Sequence, residues 1–207
     1  MIKIEKLSKK FQSAERQSIE IFRDLDLHIK QGEFIAVMWP SWRWKTTLLN
    51  MLSWLERNFV WDINIMGTSL PSLSDREITS FRWKNISYIF QDFNLIENLN
   101  VEENIDLILD INKTKRRFST DEILEKVWLS SKKYQYPFIL SGWEKQRVAI
   151  ARAFVSDTKI ILTDEPTGSL DEKNANNIMS ILTELWKNSW ITIVMITHAT
   201  DVAWFAQ

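Results

Sequence analysis

Apolar and polar residues alternate along the first 30 positions of the chain. Residues 2–7 and 19–29 repeat with a period of two, which predicts two strands of an antiparallel pair. Gly32 and Glu33 predict a turn, and the apolar run Phe34–Met38 is typical of a short buried strand. The chain is therefore expected to begin with an antiparallel β part, followed by a buried strand that ends at Met38.

Beyond residue 38, helical periodicities alternate with short apolar runs. The periodicities predict helices over 45–55, 101–109, 120–129, 141–155 and 174–185, and a further helix from Thr200. The apolar runs predict strands over 63–66, 86–90, 159–162 and 191–197. This alternation indicates an α/β fold with a mainly parallel sheet and helices on both faces. We expect one domain over 1–207, in which 1–91 and 141–207 form the core and about 92–140 form a small helical lobe.

Composition and charge narrow the choice of partners. The formal net charge is −1, so there is no electrostatic case for nucleic acid as a general partner. The chain has no cysteine, which excludes disulfides and thiolate metal sites. Its charged, alternating start is unlike a signal peptide, and no apolar run reaches the length of a membrane span. A role at a membrane would therefore require a partner chain.

Residues 39–47 match a phosphate-binding loop (P-loop) except at its glycines. They read Trp-Pro-Ser-Trp-Arg-Trp-Lys-Thr-Thr, against the pattern G-x-x-x-x-G-K-[ST]. Such a loop wraps main-chain N–H groups around phosphate and needs residues without a Cβ, so the loop as printed should not bind ATP. The candidate ATP-binding residues of this loop are Trp39, Pro40, Ser41, Trp42, Arg43, Trp44, Lys45, Thr46 and Thr47.

The abundance of tryptophan suggests an explanation. The chain has 11 Trp and 4 Gly, which together make about 7% of its residues, the ordinary frequency of glycine alone. Our hypothesis is that most or all of these tryptophans are glycine in the natural protein, for example because UGA codons that mean glycine were translated as tryptophan. The alternative is a genuine Trp-rich chain or a designed mutant. The tryptophans are Trp39, Trp42, Trp44, Trp54, Trp61, Trp83, Trp128, Trp143, Trp186, Trp190 and Trp204.

A pair of carboxylates ends the predicted strand near residue 162. Asp164 and Glu165 follow the apolar run Ile-Ile-Leu-Thr, some 120 residues past Lys45. In P-loop NTPases the strand-end Asp helps to hold Mg²⁺ together with the P-loop Ser or Thr, here Thr46. The neighbouring Glu can orient and deprotonate the attacking water. Taken alone, the pair could equally be two solvated carboxylates at a strand end.

Further motifs follow in a fixed order. Residues 140–144, Leu-Ser-Gly-Trp-Glu, resemble the LSGGE-type signature, and Gln91, Ser169-Leu170-Asp171 and His198 match the Q-loop, the D-loop and the switch histidine. Over essentially its whole length the chain resembles the ATPase subunit of an ATP-binding cassette (ABC) transporter. The resemblance implies a P-loop NTPase core that binds ATP and Mg²⁺ and hydrolyses ATP.

The resemblance also implies a role for each matched residue. Glu165, His198 and Gln91 would be catalytic, and Thr46, Gln91 and Asp164 would hold the metal. Ser141, Gly142 and Trp143 would bind the γ-phosphate held by a second copy, so the working unit would be a homodimer. Phe11 lies where the family stacks an aromatic ring on adenine, although by itself it reads more readily as a core residue.

Several stretches favour one transporter class. Residues 88–96, 101–104 and 164–171 look most like the ATPases of lipoprotein-releasing and macrolide-export systems, and the related cell-division ATPase is a close alternative. Such subunits drive a separate integral membrane permease from the cytoplasmic face of the membrane. The transported substrate is a property of the permease, so this chain does not reveal it.

Three other functions compete with an active ATPase subunit. If the tryptophans are genuine, the chain would be a nucleotide-free or regulatory cassette. A soluble ABC ATPase of DNA repair or translation would usually carry long coiled-coil insertions or two cassettes, and neither is visible here. A P-loop kinase of small molecules is disfavoured by residues 140–144. Lys45, Asp164, Glu165 and His198 are intact, and this favours systematic replacement of glycine over random decay.

Overall fold

Two four-stranded sheets, one antiparallel and one parallel, organise the protein. The computed structural model describes residues 1–12, 18–38, 42–53, 55, 63–112 and 114–206; for 10–12, 18–21, 42–46 and 112 it describes only the backbone. The strands are β1 (Ile2–Gln12), β2 (Ser18–Ile29), β3 (Phe34–Met38), β4 (Ile63–Ile65), β5 (Thr68–Ser69), β6 (Ile86–Ile89), β7 (Ile160–Asp164) and β8 (Thr192–Thr197). The helices are α1 (Trp42–Leu52), α2 (Asp75–Asn85), α3 (Val101–Asn112), α4 (Thr120–Lys126), α5 (Gly142–Phe154), α6 (Glu172–Lys187) and α7 (Thr200–Ala203).

The N-terminal β part forms the antiparallel sheet, with strand order β2-β1-β4-β5. β1 pairs with β2, as the alternating pattern predicts, and Ile2 lies opposite Ile29. β1 also pairs with β4, which places Ile65 beside Ile2 on its other side. The run at 63–66 is therefore a strand, but it belongs to this sheet and not to the parallel one.

The parallel sheet has the order β3-β8-β7-β6. Met38 pairs with Thr197, Asp164 with Ile196 and Ile89 with Thr163, so the carboxyl ends of all four strands lie at one edge. The prediction of an α/β fold with a parallel sheet is confirmed. Ligands of open α/β sheets bind beyond this edge, so the topology itself points to the site.

Each face of the parallel sheet contributes to a separate hydrophobic core. On β7, Ile161 belongs to the core that includes α3 to α6, whereas Ile160 and Leu162 belong to the core shared with α1 and the antiparallel sheet. β8 alternates in the same way, because successive side chains of a strand point to opposite faces. The sheet is thus covered on both sides, as the near-continuous apolar runs predict.

Two helices differ from the sequence-based expectation. α1 begins at Trp42, three residues before the predicted start at Lys45. Tryptophan and arginine have no strong tendency to break a helix, whereas glycine in this segment would cost more. α2 was not predicted at all. Ser74 and Glu77 form a capping box at its start, but Ile78 is its one buried residue, so its apolar periodicity is weak.

The residues expected to form a helical lobe contain α3 and α4. α3 packs mainly against α5, and α4 contacts both of these helices. Val101, Ile105, Ile123 and Leu124 are fully buried in the same core as Val148 of α5. The boundaries of this lobe stay a prediction. Across the described ranges, no helix is long and apolar enough to cross a membrane.

Candidate nucleotide site

The predicted catalytic residues lie directly after the carboxyl ends of the parallel strands. Gln91 follows β6, Glu165 follows β7 and His198 follows β8. The P-loop segment follows β3, which lies beside β8 in the same sheet. Residues that are more than 100 positions apart in the chain are therefore brought to one edge by the strand order alone.

Glu165 and His198 are in direct contact. His198 Nδ1 lies 2.7 Å from Glu165 Oε1, and the His198 main-chain N–H donates to Glu165 Oε2 at 3.4 Å. Glu165 is 8% exposed, whereas the His198 side chain is 68% exposed. Glu165 also has a left-handed backbone (φ 45°), and its N–H donates to Ile196 O on β8. A non-glycine residue in this conformation is strained, and such strain often occurs at functional sites.

Gly168 leaves room for the side chains of Gln91 and Glu165 on the same side of its turn, and this role was missed from the sequence. A Cβ added at Gly168 would lie 3.2 Å from Gln91 Nε2 and 3.3 Å from Glu165 Cβ. The Gly168 N–H donates to Glu165 O, which fixes this turn. A glycine three residues after a strand-end carboxylate is the signal that could have revealed the close approach.

The signature residues begin α5. Ser141 is the N-cap, and both its main-chain N–H (2.8 Å) and its Oγ (2.6 Å) donate to Glu144 Oε2. Although burial raises the pKa of Glu144, the hydrogen bonds from Ser141 and the nearby Lys132 and Arg147 hold that pKa below its ordinary value. A Cβ at Gly142 would meet the Phe93 ring at 3.8 Å, so the signature lies against the segment that follows Gln91.

Three sequence-predicted groups lie partly or wholly outside what the structure describes. Residues 39–41 fall outside the described residues, and for 42–46 only the helical backbone of α1 is seen. Thr47 is buried. Phe11 lies on β1 opposite Ile19, and its side chain is outside the described part. Roles for Lys45 and Thr46 in phosphate and metal binding, and for Phe11 in adenine stacking, stay predictions.

The family profile described as ABC transporter matches residues 22–168. The chain belongs to the ABC transporter family. YknY of Bacillus subtilis (strain 168), an uncharacterized ABC transporter ATP-binding protein, is 37% identical over 206 residues, which cover 98% of this chain and 89% of YknY. Membership confirms the prediction that the chain is an ABC transporter ATPase subunit.

The cassette is also similar to solved ABC structures. The dimeric structure of MJ0796, a bacterial ABC transporter cassette, superposes with a TM-score of 0.85 at 35% identity, covering 100% of this chain and 91% of that one. A dimeric post-hydrolysis state of MJ0796 bound to ADP and Pi also gives a TM-score of 0.85, at 34% identity.

One relative bears on the transporter class. The macrolide export ATP-binding/permease protein MacB of Chlorobaculum tepidum is 37% identical over 209 residues, which cover 100% of this cassette and 32% of MacB. The similarity to macrolide-export ATPases is confirmed, and the similarity to lipoprotein-releasing ATPases stays a prediction.

The tryptophans of the cassette differ sharply in their surroundings. Trp128 and Trp190 have left-handed backbones, with φ of 56° and 55°, and they are 56% and 81% exposed. Trp128 follows α4 and Trp190 follows α6, where helices commonly end on glycine. Trp186 lies within α6, donates from Nε1 to Gly32 O at 2.8 Å and packs edge-on against Phe34. Trp143 covers the Arg147 guanidinium at 3.8 Å.

Proposed function

We propose that this cassette hydrolyses ATP through Glu165, His198 and Gln91. The observation that carries the proposal is the 2.7 Å contact between Glu165 and His198 at the edge where Gln91 also lies. Glu165 would accept a proton from the attacking water. His198 orients the carboxylate through Nδ1, and its large exposed fraction leaves the ring accessible to a γ-phosphate. Gln91 would contact the γ-phosphate or Mg²⁺ at the same edge of the sheet.

Mg²⁺ fits the chemistry of the residues available. Across the described residues, no group of three His, Cys, Asp or Glu could hold a metal by itself. The candidate ligands are the Asp164 carboxylate, the Gln91 amide oxygen and the Thr46 hydroxyl, and Mg²⁺ prefers such oxygen ligands together with substrate phosphates. The ion would neutralise charge on the phosphates, while the protein residues orient them.

We further propose that glycine occupies positions 39, 42, 44 and 143 in the cellular protein. Phosphate can contact successive main-chain amides only where side chains do not fill the loop. The left-handed backbones of Trp128 and Trp190 support the same replacement elsewhere in the chain. With glycine restored, Lys45 would donate to the β- and γ-phosphates, and the amino end of α1 would favour their negative charge.

The working unit that we propose is a homodimer at the cytoplasmic face of a membrane. Ser141 and Gly142 are exposed at the amino end of α5, and this end can receive the γ-phosphate bound by a second copy. An integral membrane permease would be driven by the dimer. A partly apolar groove of about 430 Å³, lined by Leu55, Trp83, Phe90, Asn94, Ile111 and Arg152, is the surface that we assign to it, because Asn94 and Phe90 flank Gln91.

The alternative is a regulatory cassette that binds partners and hydrolyses nothing. It is favoured only by the tryptophans of the P-loop. Purification of the cellular product separates the two functions: its intact mass counts the Trp-to-Gly replacements, and its ATP turnover is measured on the same sample. ATP turnover, together with an intact mass that fits glycine at the tryptophan positions, supports the ATPase. A mass that matches the printed chain, with no ATP binding in calorimetry, supports the regulatory cassette.

A further inference from the structure

Helix α5 holds the segment after Gln91 through one arginine. Arg152 Nη1 donates to Asn94 O at 2.6 Å, and Arg152 Nη2 donates to Phe93 O at 2.8 Å. The planar fork of a guanidinium suits two acceptors that lie side by side, and a lysine cannot reproduce this arrangement. Arg152 therefore fixes the direction of two successive carbonyls that lie 58 and 59 positions earlier in the chain.

The segment held in this way is conformationally unusual. Phe93 and Asn94 both have left-handed backbones, with φ of 61° and 47°. The Asn94 N–H donates to Asp92 O at 2.6 Å, which tightens the turn. Two consecutive non-glycine residues in this region are unfavourable, and they persist only where surrounding contacts determine their conformation. The fork of Arg152 supplies such contacts.

The environment of Arg152 argues that the arrangement has a purpose beyond packing. The Arg152 side chain is half-buried, and this burial lowers its pKa. Within the described ranges its hydrogen bonds go to main-chain carbonyls. Partial removal of a charge from water is costly, and here it is offset by carbonyl dipoles, so apolar packing alone would not select an arginine.

The same segment contacts the other end of α5. The Phe93 ring lies against Gly142, and Arg152 lies ten residues further along the helix. The turn after Gln91 is thus attached to both the amino and the carboxyl part of the signature helix. Gln91 itself lies against Gly168, and Glu165 lies against the same glycine. A shift of α5 would therefore be transmitted to the Gln91 side chain.

We infer that Arg152 is a positioning residue that sets the location of Gln91 beside Glu165. It would act through the Phe93 and Asn94 carbonyls, and the proposed reaction gives it no contact with the nucleotide or the attacking water. This inference rests on the proposed function, because Gln91 must take part in hydrolysis for its location to matter. A displacement of about 1 Å in a catalytic group can lower a rate by roughly 100-fold, so loss of the fork should be visible in turnover.

Arg147 provides a matched control on the same helix. Its Nη1 donates to Val127 O and Trp128 O, each at 3.0 Å, and Trp128 is also left-handed. Arg147 is therefore a second arginine of α5 that holds two successive carbonyls, and it is more deeply buried than Arg152. Its partners end α4 and do not belong to the Gln91 segment.

The experiment compares Arg152→Lys and Arg152→Gln with Arg147→Lys and Arg147→Gln, in the form of the chain that turns over ATP. We expect the Arg152 variants to lower kcat about 10-fold or more while the KM for ATP changes less than about 2-fold. The Arg147 variants should lower kcat per folded molecule clearly less than the Arg152 variants do, because Arg147 contacts the signature residue Trp143 but not the Gln91 segment. Thermal unfolding of each variant gives its folded fraction.

Hydrogen exchange provides a readout that does not need activity. Arg152→Lys should speed exchange of the amides in 91–96, and Arg147→Lys should do so in 124–129. Parent-like kcat in both Arg152 variants, or a fall that only follows the folded fraction, overturns the inference. So does unchanged exchange in 91–96. If the parent chain does not hydrolyse ATP but the variants still show these changes in exchange, the proposed function is contradicted. The contact by which Arg152 holds the Gln91 segment would then still be supported.

Discussion

The loops at the strand ends of this cassette differ from the turns at its helix ends. The residue types in the loops suit their proposed role, whereas the residue types in the turns do not suit the conformation of the backbone. At the strand ends, Gln91, Glu165 and His198 are the residue types that ATP hydrolysis uses, and they meet at one edge. At the ends of α4 and α6, Trp128 and Trp190 occupy left-handed positions that suit glycine. At the strand ends the residue types suit the proposed reaction. At the helix ends the residue type does not suit the left-handed backbone.

This difference supports the proposal that tryptophan systematically replaces glycine in the printed chain. Random decay would affect carboxylates and histidines as often as turn residues. The tryptophans instead occur where glycine is expected, at the P-loop, the signature and two helix ends. Trp83 and Trp186 differ from these, because both lie inside helices, and the fold also uses the ring and the N–H of Trp186. Experiments that separate these groups of tryptophans therefore test the interpretation directly.

The largest effect is expected at the P-loop. The triple variant Trp39→Gly, Trp42→Gly and Trp44→Gly should change ATP binding from undetectable to micromolar, a binding free energy of about −8 kcal/mol. Indoles at these positions occupy the volume of the phosphates, and glycine exposes the amides. Isothermal titration calorimetry measures the change. The matched control restores glycine at 128 and 190 only, and it should bind no ATP. Tight ATP binding by the chain as printed would remove the steric argument.

The second effect tests the preserved region. In the glycine-restored chain, Glu165→Gln should lower kcat by about 100-fold or more, because an amide cannot accept the proton of water. ATP should then accumulate on the enzyme and stabilise a dimer, which sedimentation velocity detects. Glu122→Gln is the matched control and should keep the parental kcat, since Glu122 accepts from the Ser119 N–H in the capping box of α4 and belongs to no motif of the nucleotide site. Hydrolysis at the parental rate in Glu165→Gln would exclude Glu165 as the base.

Much of the fold could be predicted because burial imposes simple periods. The paired strands β1 and β2, the apolar strands β7 and β8 and the α5 start at Ser141 follow directly from pattern and capping. α2 was not predicted because its surface is mostly polar, so its sequence shows no clear helical periodicity of apolar residues. The Arg152 contacts were not predicted because every residue has a main-chain carbonyl. The residue types at the accepting positions therefore give no sign of these hydrogen bonds.

The third effect separates Trp186 from the other tryptophans. Trp186→Ala should lower the free energy of unfolding by about 3 kcal/mol, through lost ring packing and an unpaired Gly32 carbonyl. Chemical denaturation monitored by circular dichroism measures this loss. Trp204→Ala is the control, because Trp204 is 84% exposed, and its change should stay within about 0.5 kcal/mol. Equal, small losses at both positions would show that position 186 also tolerates a missing side chain.

The smallest effect has the opposite sign and concerns the helix ends. Trp190→Gly should raise the free energy of unfolding by about 1 kcal/mol, since glycine relieves the left-handed strain at φ 55°. Trp190→Ala removes the same ring but keeps a Cβ, so it should not give this gain. Trp83→Gly lies inside α2 and should instead lower stability by about 1 kcal/mol, because glycine weakens a helix interior. Stabilisation by Trp190→Gly but not by Trp190→Ala would tie the gain to backbone geometry. Equal responses of both variants at 190 would mean that the exposed indole, and not the turn, sets the stability of this position.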